Sequence, residues 1–143
     1  MGEPLKILLI EDSEDDAQLL LRELRRGDFE LSWQQVQTAP SFQEQLVKQT
    51  WDVIISDYRL PRFDAPTALD IVQQSGIDIP FIVISGTVGE RLAVDMMKAG
   101  AHDYLLKGNL IRLPEVVRRE MRDVQIRAER RQAEVVILSL IHI

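Results

Sequence analysis

Five short apolar runs, separated by stretches whose apolar residues recur every three or four positions, limit most severely what this chain can fold into. Leu5-Lys6-Ile7-Leu8-Leu9-Ile10 reads as a strand buried on both faces, because its apolar residues are consecutive rather than alternating. Ala17, Leu20, Leu21 and Leu24 then return at helical spacing, and Gly27 follows as a stop. Leu31–Val36 is a weaker strand, and Phe42, Leu46 and Val47 mark a short helix. Val53-Ile54-Ile55 is the next buried strand. Ala65, Ala68, Leu69 and Val72 predict a helix over 65–75, ended by Gly76. Phe81-Ile82-Val83-Ile84 is a strand, Leu92, Ala93, Met96 and Met97 a helix closed by Gly100, and Tyr104-Leu105-Leu106 a short fifth strand. Pro114, suited to a first turn, opens a long last helix.

Strands alternating with helices imply an α/β domain, a five-stranded parallel sheet with helices on both faces. Right-handed crossovers make it doubly wound. Such sheets bind their ligands beyond the carboxyl ends of the strands, so polar residues that end buried strands should hold the chemistry.

At 143 residues there is room for one domain with a proper core and little else. The absence of cysteine excludes disulfides and thiolate nucleophiles or metal sites. The opening Met-Gly-Glu-Pro-Leu-Lys, with only a short apolar run behind it, is neither a signal peptide nor a membrane span, and makes a cytoplasmic location the default with no membrane contact. A net charge of −6 argues against nucleic acid as a partner. Residues 1–111 carry 10 basic and 18 acidic side chains, whereas residues 112–143 carry 7 and 5, so body and tail differ in character.

The first strand ends in Glu11-Asp12-Ser13, the third in Ser56-Asp57, the fourth in Ser85 and the fifth in Lys107. Three carboxylates, a hydroxyl and an ammonium thus converge on one rim. Packed carboxylates raise one another's pKa unless a cation intervenes. A hard divalent ion with oxygen ligands answers that, and magnesium fits because it needs only one or two carboxylates, a carbonyl and waters. Asp57 can then approach a phosphoryl group, with Lys107 balancing its oxygens and Ser85 donating a hydrogen bond.

The set Glu11-Asp12, Asp57-Tyr58-Arg59-Leu60-Pro61, Ser85-Gly86-Thr87 and Tyr104-Leu105-Leu106-Lys107 resembles the response-regulator receiver family of two-component phosphorelays, over about Lys6 to Val124. The resemblance implies a flavodoxin-like strand order 2-1-3-4-5. It also implies that Asp57 is the phospho-acceptor, charged from the phosphohistidine of a histidine kinase or phosphotransfer protein. Asp12 and Asp57 would bind magnesium with the backbone carbonyl of Arg59, and Glu11 would hold a metal-bound water or the ion itself. Lys107 would contact the phosphoryl group, Ser85 would move toward it, and Tyr104 would be the aromatic switch that follows. The chain departs from the family at Gly108, where a proline is usual, and at Ala65-Pro66, where a glycine-containing turn is more common.

Simpler roles suit some of these residues. Ser13 can cap the first helix, with Glu14, Asp15 and Asp16 favouring its positive end. Met96-Met97 suits core packing, His102 a structural turn, and His142 carries no signal. Two other functions compete with the acceptor reading. An aspartyl-nucleophile phosphatase would usually place a second Asp two residues beyond the first, where this chain has Arg59. A receiver-like interaction module without the chemistry would have no need of the intact Glu11, Asp12, Asp57, Ser85 and Lys107 set. Neither G-x-G-x-x-G nor G-x-x-x-x-G-K-[ST] occurs, and Gly86-Thr87-Val88-Gly89 lacks the central basic residue of an RNA-clamping loop.

Val117, Met121, Val124 and Ala128 follow a 4-3-4 spacing, able to lie on the sheet or on a partner helix. Residues 1–126 therefore read as the receiver domain and 127–143 as a helical connector with an apolar tail. Lys107-Gly108-Asn109-Leu110 resembles receivers attached to sensor histidine kinases, which points to a kinase or output module beyond the helix. Val135–Ile143 is too short to span a bilayer, and its uncharged, β-branched surface suits pairing into a homodimer.

Overall fold

The computed structural model describes residues 2–86 and 89–141. Its elements are β1 (Glu3–Ile10), α1 (Glu14–Arg26), β2 (Phe29–Val36), α2 (Ala39–Lys48), β3 (Val53–Asp57), α3 (Ala65–Ser75), β4 (Phe81–Ser85), α4 (Glu90–Ala99), β5 (Asp103–Leu106) and α5 (Leu113–Ile141). All strand pairs are parallel, in the order β2-β1-β3-β4-β5. This is the doubly wound order that the family resemblance implies. Thr87, Val88 and His142 lie outside the described residues, as does Ile143.

Successive side chains of a strand point to opposite faces, and the two cores follow from that. Leu5, Ile7 and Leu9 pack with Val53, Ile55, Ile82, Ile84 and Leu105 under α1 and α5. Leu8 and Ile10 pack with Ile54, Phe81 and Val83 under α2, α3 and α4. Both faces of the central strands are therefore apolar, and polar atoms are tolerated only where a strand runs out at the rim.

Three local expectations are corrected. Strands β1 and β2 each start two residues earlier than their apolar runs, because Glu3 and Pro4 pair with Phe29 and Glu30 along the sheet edge. Val47 is 78% exposed, since Phe42 and Leu46, four apart, already take the inward stripe of α2. Met97 is exposed for the same reason beside the buried Met96. His102 is structural, as expected: its Nδ1 accepts the Phe81 N–H at 2.9 Å. Burial pushes its pKa down, which keeps that nitrogen free to accept.

Helix α5 leaves the sheet gradually. Val117 is buried, Met121 packs against the core, and Val124 and Ala128 are half-buried. On this same stretch Arg127 grips Asp78, in the loop before β4, through two hydrogen bonds of 2.9 and 3.0 Å, and Arg131 adds one at 3.2 Å. The two ends of this clasp are partly exposed, so Asp78→Asn is expected to cost about 1 kcal/mol in thermal or urea unfolding. The Arg127 hydrogen bond foremost holds the Asp78 carboxyl below its ordinary 3.8. A depressed folded-state value means that the contribution is present above the unfolded pKa and is lost as pH falls through the folded one. The gap between wild type and Asp78→Asn should therefore be full at pH 7 and narrower at about pH 3, below the ordinary carboxyl value. An equal gap at both pH values would show that the clasp is not ionic. From Val135 to Ile141 the helix is exposed all round. Among the described residues no helix is long and apolar enough to cross a membrane.

Candidate functional site

The carboxyl rim gathers its groups from both sides of the strand-order reversal, where β1 and β3 lie side by side and their connections leave to opposite faces. Glu11 follows the last residue of β1 and is 4% exposed. Its Oε1 accepts the N–H groups of Asp12 and Ser13, both at 3.1 Å. Its main chain is fixed too, the N–H donating to Val36 and the carbonyl accepting from the Gln35 amide at 2.8 Å. Asp57 ends β3 at 9% exposure, beside Ser56, whose hydroxyl donates to the Asp57 carbonyl at 2.9 Å. Carboxylate oxygens of Glu11, Asp12 and Asp57 lie within 4.8 Å of one another.

Lys107 stands at the end of β5, held by its own N–H donating to the Ser85 carbonyl at 2.8 Å. Its Nζ reaches Asp16 Oδ2 at 2.7 Å, Asp57 Oδ2 at 3.1 Å and Glu11 Oε2 at 3.5 Å. Burial alone would lower the pKa of this ammonium, but the hydrogen bonds it donates to Asp16 and Asp57 outweigh that and the net direction is up. Lys107 is thus a permanent cation. Glu11 behaves in the opposite sense. Burial, with the nearby Asp57, pushes its carboxyl up to about 7, against the pull of the Ser13 N–H and of Lys107. One ammonium therefore does not satisfy this many carboxylates, and the pocket still favours holding a proton.

Ser85 is 3% exposed at the end of β4. With Asp57, Tyr58, Arg59, Gly86, Leu92 and Lys107 it lines an open cavity of about 270 Å³. Tyr104, on β5, is half-buried against the α2–α4 core, and its hydroxyl is buried without a hydrogen-bond partner among the described residues. Of the residues expected at the rim, Glu11, Asp12, Asp57 and Lys107 come together directly, and Ser85 and Arg59 line the same cavity.

Asp16 is the correction. Its main-chain N–H does donate to the Ser13 cap at 3.2 Å, as expected for the first turn of α1. Its side chain, however, is the shortest contact of Lys107. Asp16 shares the acidic first turn of α1 with Glu14 and Asp15, and nothing local marks it out from them.

A family model described as "Response regulator receiver domain" matches residues 7–118. The chain belongs to the response regulator receiver domain family of two-component signalling. The response regulator protein PilR of Pseudomonas aeruginosa is 29% identical over 118 residues, which are 82% of this chain and 26% of PilR. The transcriptional regulatory protein KdpE of Staphylococcus aureus is 33% identical over 102 residues, 71% of this chain and 43% of KdpE. The chain thus spans less than half the length of either relative. Among solved structures, the Francisella response regulator 1452 receiver domain superposes with a TM-score of 0.72 at 21% identity, covering 83% of this chain and 98% of that one. NtrX from Brucella abortus gives 0.78 at 23% identity, covering 93% of this chain and 30% of that one.

Proposed function

We propose that this domain is a phospho-acceptor switch that takes a phosphoryl group onto Asp57 in a magnesium-dependent reaction. The observation that carries the reading is Asp57 itself: a carboxylate at a buried strand end, 3.1 Å from an ammonium and among the three convergent carboxylates. In the transfer, an Asp57 oxygen bonds to phosphorus while the P–N bond of a phosphohistidine donor breaks and its electron pair returns to the imidazole. Lys107 balances the charge spread over the phosphoryl oxygens, and Ser85 donates to one of them.

The donor set fits a hard divalent cation, because three carboxylates face one another and burial, with Asp57 beside it, pushes the Glu11 carboxyl up to about 7. Asp12, Asp57 and the Arg59 carbonyl would hold magnesium, with Glu11 on the ion or its water. When bound, the ion supplies positive charge that lets an anionic donor approach the acceptor. Ser85 moving toward the phosphoryl group would open room for Tyr104, whose hydroxyl is buried without a hydrogen-bond partner among the described residues. The domain would thus catalyse only its own phosphorylation and dephosphorylation, in the cytoplasm, with a histidine kinase or phosphotransfer protein as donor. Helix α5 would lead to the output or kinase module, the domain itself closing near residue 126 and the connector with its apolar tail following, open to pairing with a second copy.

Intact mass after incubation with acetyl phosphate tests this. One acid-labile phosphoryl group is expected with magnesium and none after chelation. A chain that stays unlabelled with magnesium present would sink the reading.

A further inference from the structure

Lys107 has three carboxylates within reach, and the nearest of them is not the acceptor. Asp16 Oδ2 lies 2.7 Å from Nζ, against 3.1 Å for Asp57 and 3.5 Å for Glu11. Asp16 also stands apart from the three carboxylates that converge on a cation site, Glu11, Asp12 and Asp57. That difference has a physical consequence. A divalent cation held by Glu11, Asp12 and Asp57 would neutralise two of the three partners of Lys107 and repel its ammonium directly. Asp16 would be the partner whose charge is left unspent. The flexible lysine stem, a quarter exposed at its side chain, would otherwise be free to swing into water.

We propose that Asp16 is a positioning residue for Lys107: its carboxylate anchors the ammonium beside Asp57 while the pocket is loaded with a divalent cation and a phosphoryl group arrives. An ammonium has three N–H donors, so the bond to Asp16 and a bond to a phosphoryl oxygen coexist. The anchor thus removes motion of the stem without competing for the reaction. This inference rests on the acceptor reading of Asp57.

The sign of the effect separates anchoring from bulk electrostatics. Asp16→Asn removes a negative charge from the rim, which by itself should ease the approach of an anionic donor and speed labelling. Loss of an anchor should slow it. The helix cap does not confuse the result, because the Ser13 contact uses the main-chain N–H of Asp16, which any substitution but proline keeps. Asp15, exposed in the same first turn, controls for the loss of a charge at the helix end.

Labelling by acetyl phosphate at saturating magnesium would be followed by intact mass for wild type, Asp16→Asn, Asp15→Asn, Asp16→Glu, Lys107→Ala and the Asp16→Asn, Lys107→Ala double variant, with melting temperatures as a check on folding. Asp16→Asn is expected to label roughly tenfold more slowly, and Asp15→Asn to stay within about twofold of wild type. Asp16→Glu, which keeps the charge on a longer arm, should recover part of the rate. In the Lys107→Ala background the Asp16 change should add nothing, since it acts through the missing ammonium. Equal or faster labelling of Asp16→Asn, an equal loss in Asp15→Asn, no recovery in Asp16→Glu, or an additive loss in the double variant would each overturn the anchor. A wild type that labels normally beside an unaffected Asp16→Asn defeats this inference alone, whereas an unlabelled wild type defeats the acceptor reading beneath it.

Discussion

Asp57→Ala is expected to abolish acid-labile phosphorylation altogether while leaving the fold in place. The methyl group cannot form the acyl phosphate, and the adjacent serine is a poor substitute. The Ser56 hydroxyl is fully buried and donates to the Asp57 carbonyl. Phosphate on that serine would also be acid-stable, so the lability of the label distinguishes the two sites. Removal of Asp57 takes away one of the charges that push the Glu11 carboxyl up, so that carboxyl should move back toward its ordinary range. Stability at neutral pH should therefore hold or rise. Magnesium affinity should fall by roughly tenfold or more, because one of three convergent carboxylates is gone. Acid-labile phosphate persisting in this variant would remove Asp57 from the mechanism.

Lys107→Ala should have the second-largest effect, with two readouts moving in opposite directions. The ammonium lies within 3.5 Å of Glu11, Asp16 and Asp57, so its loss leaves those carboxylates facing one another. Magnesium should bind more tightly, since the positive charge that competed with it is removed. Phosphoryl transfer should nonetheless slow by about 10²–10³, the usual cost of losing a preorganised charge at the reacting group. Without divalent ions the variant should also lose stability as pH rises. The folded-state pKa of Glu11 lies above its ordinary 4.5 even in the wild type, and Lys107 was lowering it. The folded form therefore holds a proton that the unfolded chain gives up, and stability falls from about pH 4.5 upward through the folded value. Circular dichroism at pH 6 should show an intact fold. Unfolding there would mean that Lys107 is a structural strut rather than a reacting group.

Much of this was legible in the residues. Consecutive apolar positions in β1, β3 and β4 required strands covered on both faces, and the intervening helical spacings required crossovers, so a doubly wound parallel sheet was nearly forced. The rule that such sheets bind at their carboxyl ends then selected Glu11, Asp12, Asp57, Ser85 and Lys107 from many polar residues without any coordinates. Val47 and Met97 were misplaced because a helix buries a stripe, and a residue one step round from that stripe looks equally apolar in sequence. The Asp78 clasp was invisible for a different reason: Arg127 and Arg131 are ordinary helix-surface residues until the loop before β4 comes to meet them.

What the sequence determined by itself was the order of the elements, the rim and the chemical kinds that meet there, because hydrophobic period and strand-end polarity are local properties. What only the tertiary structure decided was which carboxylate holds Lys107 most closely. Asp16 and Lys107 lie 91 residues apart, and an ion pair depends on ångström distances that no local pattern encodes.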